Sequence, residues 1–277
     1  MDRHDGPRGA AVSAAGFGLE GPRGWAFRGV DVEAGPGSLI AVVGPSGSGR
    51  TSLLLALTGR MRPTEGSAAV GGLPLPDKMT AVRRTTALGP VPGVSDLDPS
   101  LTVDEHLRER ALLQRRFGGS VRDLLRPRGE RAAASRARVA DALAAVGLNP
   151  RTLPKRGRTS VRDLERLEAL RLSLALALVA RPGLVAVDDA DMKLSDAERE
   201  TAWELLRSLA AGGTTVLAVC SQAPEDAVVV RTTTARAAAG QDPQDPQNPQ
   251  DQTDETSRDE DDDEKGAADA FAETGRA

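Results

Sequence analysis

Residues Val42–Leu57 read VVGPSGSGRTSLLLAL, and the segments on either side of the glycines decide the fold. Upstream, SLIAVV (38–43) is an almost unbroken apolar run that stops at Gly44. A short run of this kind, bounded by turn residues, predicts a strand buried on both faces, as in a parallel sheet. Downstream, TSLLLALTGRM (51–61) meets no breaker before Gly59 and predicts a helix. The connector Gly44-Pro45-Ser46-Gly47-Ser48-Gly49-Arg50-Thr51 fits the pattern G-x-x-x-x-G-[K/R]-[S/T].

That pattern has a mechanical meaning. The glycines let the backbone turn so that successive N–H groups converge on an anion, and the following helix adds its positive N-terminal end. Between a buried strand and a helix, the segment Gly44–Ser52 predicts a phosphate site for ATP, with the Thr51 hydroxyl offered to Mg2+. Arg50 stands where such loops usually carry lysine. It keeps the charge, but a planar, bulkier fork replaces a compact point charge.

Working outward, TTALG (85–89), GLVAVDD (183–189) and TTVLAVCS (214–221) predict further buried strands. Residues 102–147 are charged and rich in Ala and Leu, and predict helix, with Thr102 and Glu105 spaced as a capping box. LSLALALVA (172–180) alternates like a strand, but its length, its Ala/Leu content and its single β-branched residue predict a buried helix stopped by Pro182. Strands alternating with helices predict an α/β fold.

Composition narrows the function classes. The net charge of −4 is asymmetric: residues 231–277 hold 5 basic and 13 acidic residues, leaving 31 basic and 27 acidic in 1–230. This is not the strong basic stripe of a nucleic-acid binder. QDPQDPQNPQDQ (241–252) and DEDDDE (259–264) predict a disordered acidic tail over 231–277. The single cysteine, Cys220, precludes an internal disulfide and reads as a small buried hydrophobe. Residues 1–10 read as a flexible leader without the apolar core of a signal peptide. No stretch reads as a membrane span. A cytoplasmic chain is expected, held at the inner face of the cell membrane only through a partner.

From Val12 to Val230 the chain resembles the ATP-binding subunit of ABC transporters. RPTEGSAAVGGLPL (62–75) is similar to the family's stretch after the first helix, with Pro63, Gly66 and Gly72 at its turn positions. LVARPGLVAVDD (178–189) is similar to its second motif, an apolar strand ending in an acidic pair. The resemblance implies a two-lobed cassette over 11–230: a RecA-like parallel sheet with a small antiparallel sheet (11–93 and 166–230), and a helical lobe (94–165). It assigns Asp188 to Mg2+ and Asp189 to the position of the catalytic carboxylate, where glutamate is usual. It also implies a membrane-spanning partner and a dimer, with a second copy or with a sibling cassette.

Other family residues are replaced. Gly93 falls at the position of the glutamine that senses the terminal phosphate, and Ser221 at that of the contacting histidine. Leu164-Glu165-Arg166-Leu167-Glu168 occupies the place of the LSGGQ signature, and Ser195 follows Leu194 where aspartate is usual. His4 and His106 lie elsewhere and read as surface residues. Phe17 and Trp25 lie near the expected adenine position, with core packing equally open to them. The departures imply weak or absent hydrolysis, so a non-hydrolytic adaptor or regulator of a membrane protein is the competing reading. A DNA-repair or translation factor of this family needs paired cassettes, long coiled coils or zinc cysteines, and the sequence shows none.

Overall fold

The computed structural model describes residues 9–117 and 127–233. The expected acidic tail beyond Thr233, His4 and most of the expected leader lie outside the described residues.

Two sheets carry the fold. One is antiparallel, with spatial order β2-β1-β4-β5, built from β1 (Val12–Gly21), β2 (Gly24–Ala34), β4 (Glu65–Val70) and β5 (Leu73–Leu75). The other is parallel, in the order β6-β7-β8-β3-β9, from β3 (Leu39–Val43), β6 (Thr86–Leu88), β7 (Leu184–Val187), β8 (Thr215–Val219) and β9 (Val228–Arg231). Every residue of β3, β7 and β8 is buried, as the apolar runs required.

Alternation sorts these strand residues between two cores. Ala41, Val43, Val185, Val187, Val216 and Ala218 face one core. It is completed by helices α5 (Arg166–Leu178) and α6 (Asp196–Ala211), through residues such as Leu172 and Leu206. Ile40, Val42, Leu184, Ala186, Leu217 and Val219 face the other core. There they meet Leu53, Leu54 and Leu57 of α1 (Arg50–Leu57), and Phe17 and Phe27 of the antiparallel sheet. The glycine loop therefore leaves an interior strand of a sheet that is clamped on both faces.

Helix α1 stops where Gly59 takes a positive φ of 72°. Helix α2 (Met79–Thr85) precedes β6. The expected helical region holds α3 (Val103–Phe117) and α4 (Arg128–Ala145). The capping box at the start of α3 is present: Thr102 N–H donates to Glu105 Oε2 at 2.8 Å, and Glu105 N–H to Thr102 Oγ1 at 3.3 Å. The alternating segment is helical, as its Ala and Leu content demanded, and α5 begins at Arg166.

Two expected boundaries shift. Ala10, placed in the leader by sequence, is buried, and its N–H donates to Gly183 O at 2.9 Å. At the other end Arg231 belongs to β9 and Thr232 is buried, because the strand's parallel pairing to β3 carries past Val230. His106 is also not a surface residue: it is 8% exposed, with Nε2 3.2 Å from Asp98 O.

Candidate functional site

The loop from Gly44 to Gly49 hangs between β3 and α1, with Pro45, Ser46 and Gly47 exposed at its rim. Gly47 and Gly49 adopt positive φ of 78° and 80°. At Gly49 a side chain is excluded as well, since a Cβ there would lie 1.9 Å from Ala26 O. Arg50, Thr51 and Ser52 form the first turn of α1, so the helix's unpaired N–H groups face the loop. Ser48 is the buried side chain of the loop, at 1% exposure.

The structure brings Thr51 and Asp188 together. Thr51 Oγ1 donates to Asp188 Oδ2 at 2.7 Å. Asp188, at the C-terminal end of β7, is 6% exposed, and its N–H donates to Pro90 O. Hydroxyl and carboxylate oxygens are the hard donors that Mg2+ takes, completed by substrate phosphates and water rather than by an all-protein cage. No cluster of three or more His, Cys, Asp or Glu suited to a metal occurs among the described residues.

Asp189 sits beside this pair in the left-handed region, φ 51°, with its N–H on Asp188 Oδ1 at 3.0 Å. Burial, and then the Asp188 charge, push its carboxyl above the usual aspartate value, with Arg50 pulling the other way. Arg50 itself donates from Nη1 to Cys220 O at 3.1 Å, just past the end of β8. Cys220 is buried, and burial foremost pushes its thiol up to about 12.

The replaced family positions are engaged in local structure. The Ser221 hydroxyl and N–H both donate to Asp191 Oδ2, at 2.5 and 2.9 Å, and Gln222 N–H reaches the same oxygen at 3.3 Å. Asp191 is 4% exposed; it clamps the segment that follows β8. Sequence reasoning singled out Asp188 and Asp189 and assigned Asp191 no role. Gly93 has φ 75° and donates its N–H to Asp96. At the head of α5, Glu168 accepts the Glu165 N–H at 3.0 Å, so carboxylates occupy that helix N-terminus. Ser195 caps α6, accepting from Glu198 N–H at 3.3 Å.

Phe17 is not an open stacking platform. Phe17 is fully buried against Phe27, with ring centroids 5.7 Å apart. Trp25 is half-buried, with the Arg28 guanidinium 4.7 Å from its ring centre.

A glycine loop leaving an interior strand of a parallel sheet, with a hydroxyl–carboxylate pair at its base and an antiparallel sheet alongside, defines a P-loop cassette. The chain belongs to the ABC transporter family, whose model matches residues 27–192, more than half of its length. It is similar to Nod factor export ATP-binding protein I of Cupriavidus metallidurans: 31% identity over 188 residues, covering 68% of this chain and 55% of that protein. The protein of the same name from Burkholderia thailandensis is 33% identical over 189 residues, with the same coverage. The chain thus spans about half the length of these curated relatives. Among solved structures, a dimeric ATP-binding cassette bound to ADP and Pi superposes with a TM-score of 0.59 at 21% identity, over 80% of this chain and 94% of that one. A nucleotide-free cassette from an ABC transporter gives 0.61 at 14% identity, over 81% and 88%. These likenesses show the fold.

Proposed function

We propose that this chain is the ATP-binding subunit of a transporter, that Gly44–Ser52 bind Mg-ATP or Mg-ADP, and that turnover is slow or absent. The Thr51–Asp188 hydrogen bond carries the binding half. It places a hydroxyl and a carboxylate at the base of a loop whose backbone amides favour phosphate, with Arg50 adding positive charge. Mg2+, when bound there, would neutralise phosphate charge.

The slow-turnover half rests on what the other residues do instead. Phosphoryl transfer depends on charge placed around the terminal phosphate and on an oriented water. Ser221 gives its hydroxyl to Asp191. Gly93 has no side chain with which to sense anything. Asp189 is one methylene shorter than glutamate. Glu165 and Glu168 put negative charge where this chain would have to meet the triphosphate held by an opposing subunit. The alternative, a non-hydrolytic adaptor or regulator of a membrane protein, draws on the same five positions. Identifying the membrane protein that co-purifies with the chain separates the two.

For the membrane partner we infer the cleft of about 1320 Å³ between α2 and α3. Arg60, Arg83, Arg84 and Arg110 line it. Arg60 donates to Thr58 O and Thr86 Oγ1, and Arg110 to Leu176 O. These are neutral acceptors, and burial together with Arg83 and Arg110 pushes Arg60 down to about 10. Asp96, Asp98 and Glu109 line the cleft as well; Arg83 and Arg84, both on α2, are the part of it that favours a partner segment presenting carboxylates. No helix among the described residues is long and apolar enough to cross a membrane, so attachment through such a partner fits.

The test is calorimetry with ATP and ADP in the presence of Mg2+. Heat of binding that disappears in the Asp188→Asn variant supports the site. No heat at millimolar nucleotide from folded protein contradicts it.

A further inference from the structure

We propose that Thr232 is a positioning residue of the phosphate loop, a latch that holds the loop from behind. The inference rests on the reading of Gly44–Ser52 as a nucleotide site and adds a residue outside the matched motif.

The loop has few anchors of its own. Three of its six residues, Gly44 to Gly49, are glycines, and two of these sit at positive φ. Glycine is permissive, so a loop rich in it loses much conformational freedom when it closes on a ligand. A phosphate site gains affinity when its amides are already aimed. Among the loop's side chains, Ser48 is the one that turns inward, and its hydroxyl lies 2.6 Å from Thr232 Oγ1.

Thr232 is held firmly. It follows β9, is 3% exposed, and its N–H donates to Val43 O at 2.9 Å. Its hydroxyl lies 3.4 Å from the same carbonyl. Both hydroxyls are satisfied when Ser48 donates to Thr232 and Thr232 donates to Val43 O. Buried hydroxyls without partners are costly, so this pair constrains both segments. Contact is close at the loop's first residue as well. A Cβ on Gly44 would lie 2.4 Å from Thr232 Oγ1 and 2.5 Å from Thr232 O. Gly44 is therefore glycine partly because Thr232 is packed against it. The last strand of the parallel sheet thus reports directly to the loop, across 184 residues of sequence.

The experiment measures Mg-ADP affinity and melting temperature on the full-length chain. Thr232→Val keeps the shape and removes the hydroxyl; it should weaken Mg-ADP binding by about tenfold. Thr232→Ser should restore it to within about twofold. Ser48→Ala should weaken binding by a similar factor, and Thr232→Val combined with Ser48→Ala should be little worse than either alone, since both remove one shared contact. A role confined to packing moves the melting temperature and leaves affinity alone. That result, or additive losses in the double variant, overturns the latch while leaving the nucleotide site standing. Absence of Mg-ADP binding by the unaltered chain overturns both. If Thr232→Val fails to fold, the comparison of Thr232→Ser with Ser48→Ala decides: the proposal requires near-normal affinity in the first and loss in the second.

Discussion

Arg50 Nη1 donates to the carbonyl of Cys220 at 3.1 Å, so the one cation of the phosphate loop is tied to the end of β8. Cys220 directly precedes Ser221 in the chain. The two departures from the family's usual residues are neighbours in space, although 171 positions apart in the chain. Arg50→Lys alone is therefore expected to restore little turnover, because Ser221 stays bonded to Asp191. A phosphate-release assay checks this. Recovery by more than about tenfold would mean that the loop's cation alone limits the rate.

The Asp189 carboxyl predicts a pH effect on stability. Its pKa is raised in the folded state, so ionising it opposes folding. That penalty is absent below the ordinary aspartate value, where the group is protonated in both states, and it appears as pH rises through the raised folded value. Asp189→Asn should therefore melt higher than the unaltered chain at pH 7. The gap should close as pH falls toward about 4. Asparagine also tolerates the left-handed backbone at this position. A gap that widens on acidification would reverse the assigned cause.

Cys220 supplies an internal probe. With its thiol buried and pushed up to about 12, it is protonated at neutral pH and shielded from reagents. Alkylation at pH 8 should be slow in the folded chain and fast in denaturant. Rapid labelling without denaturant would show that the Arg50–Cys220 corner opens readily.

The arginine cleft gives a test that separates docking from folding. Arg83→Glu with Arg84→Glu should abolish co-purification of the membrane partner, while Mg-ADP binding persists. Loss of both together would indicate unfolding instead. Weakened co-purification of the unaltered chain at high salt is also expected, since exposed charge pairs are screened.

The sequence was readable where a segment's own pattern matched its surroundings. Ser38–Val43 and Thr51–Leu57 each carried enough apolar residues to declare a strand and a helix, so the loop between them was legible. Helix α5 was legible despite its alternation, because Leu172, Ser173, Leu174 and Ala175 are all buried and no polar face interrupts the run. Helix α2 was not: Val82 is its one buried residue, too little for a period to show. Asp191 and Thr232 went unseen for a different reason. Each acts through partners 30 or more residues away, Ser221 and Ser48, and short polar segments such as DDAD and RTTT carry no local sign of such contacts.

The measurement that bears most directly on the central claim is steady-state ATP hydrolysis by the purified chain with Mg2+. At four positions that the family resemblance assigns to the terminal phosphate, Arg50, Gly93, Asp189 and Ser221 replace the usual residues. Each tenfold loss corresponds to roughly 1.4 kcal/mol of transition-state stabilisation, and losses among residues that act as a unit need not add. The predicted result is turnover well below about one per second, the low end of ordinary enzyme rates, alongside measurable Mg-ADP binding. Turnover near or above that rate, abolished by Asp188→Asn, would contradict the account and show that other residues fill the vacant roles.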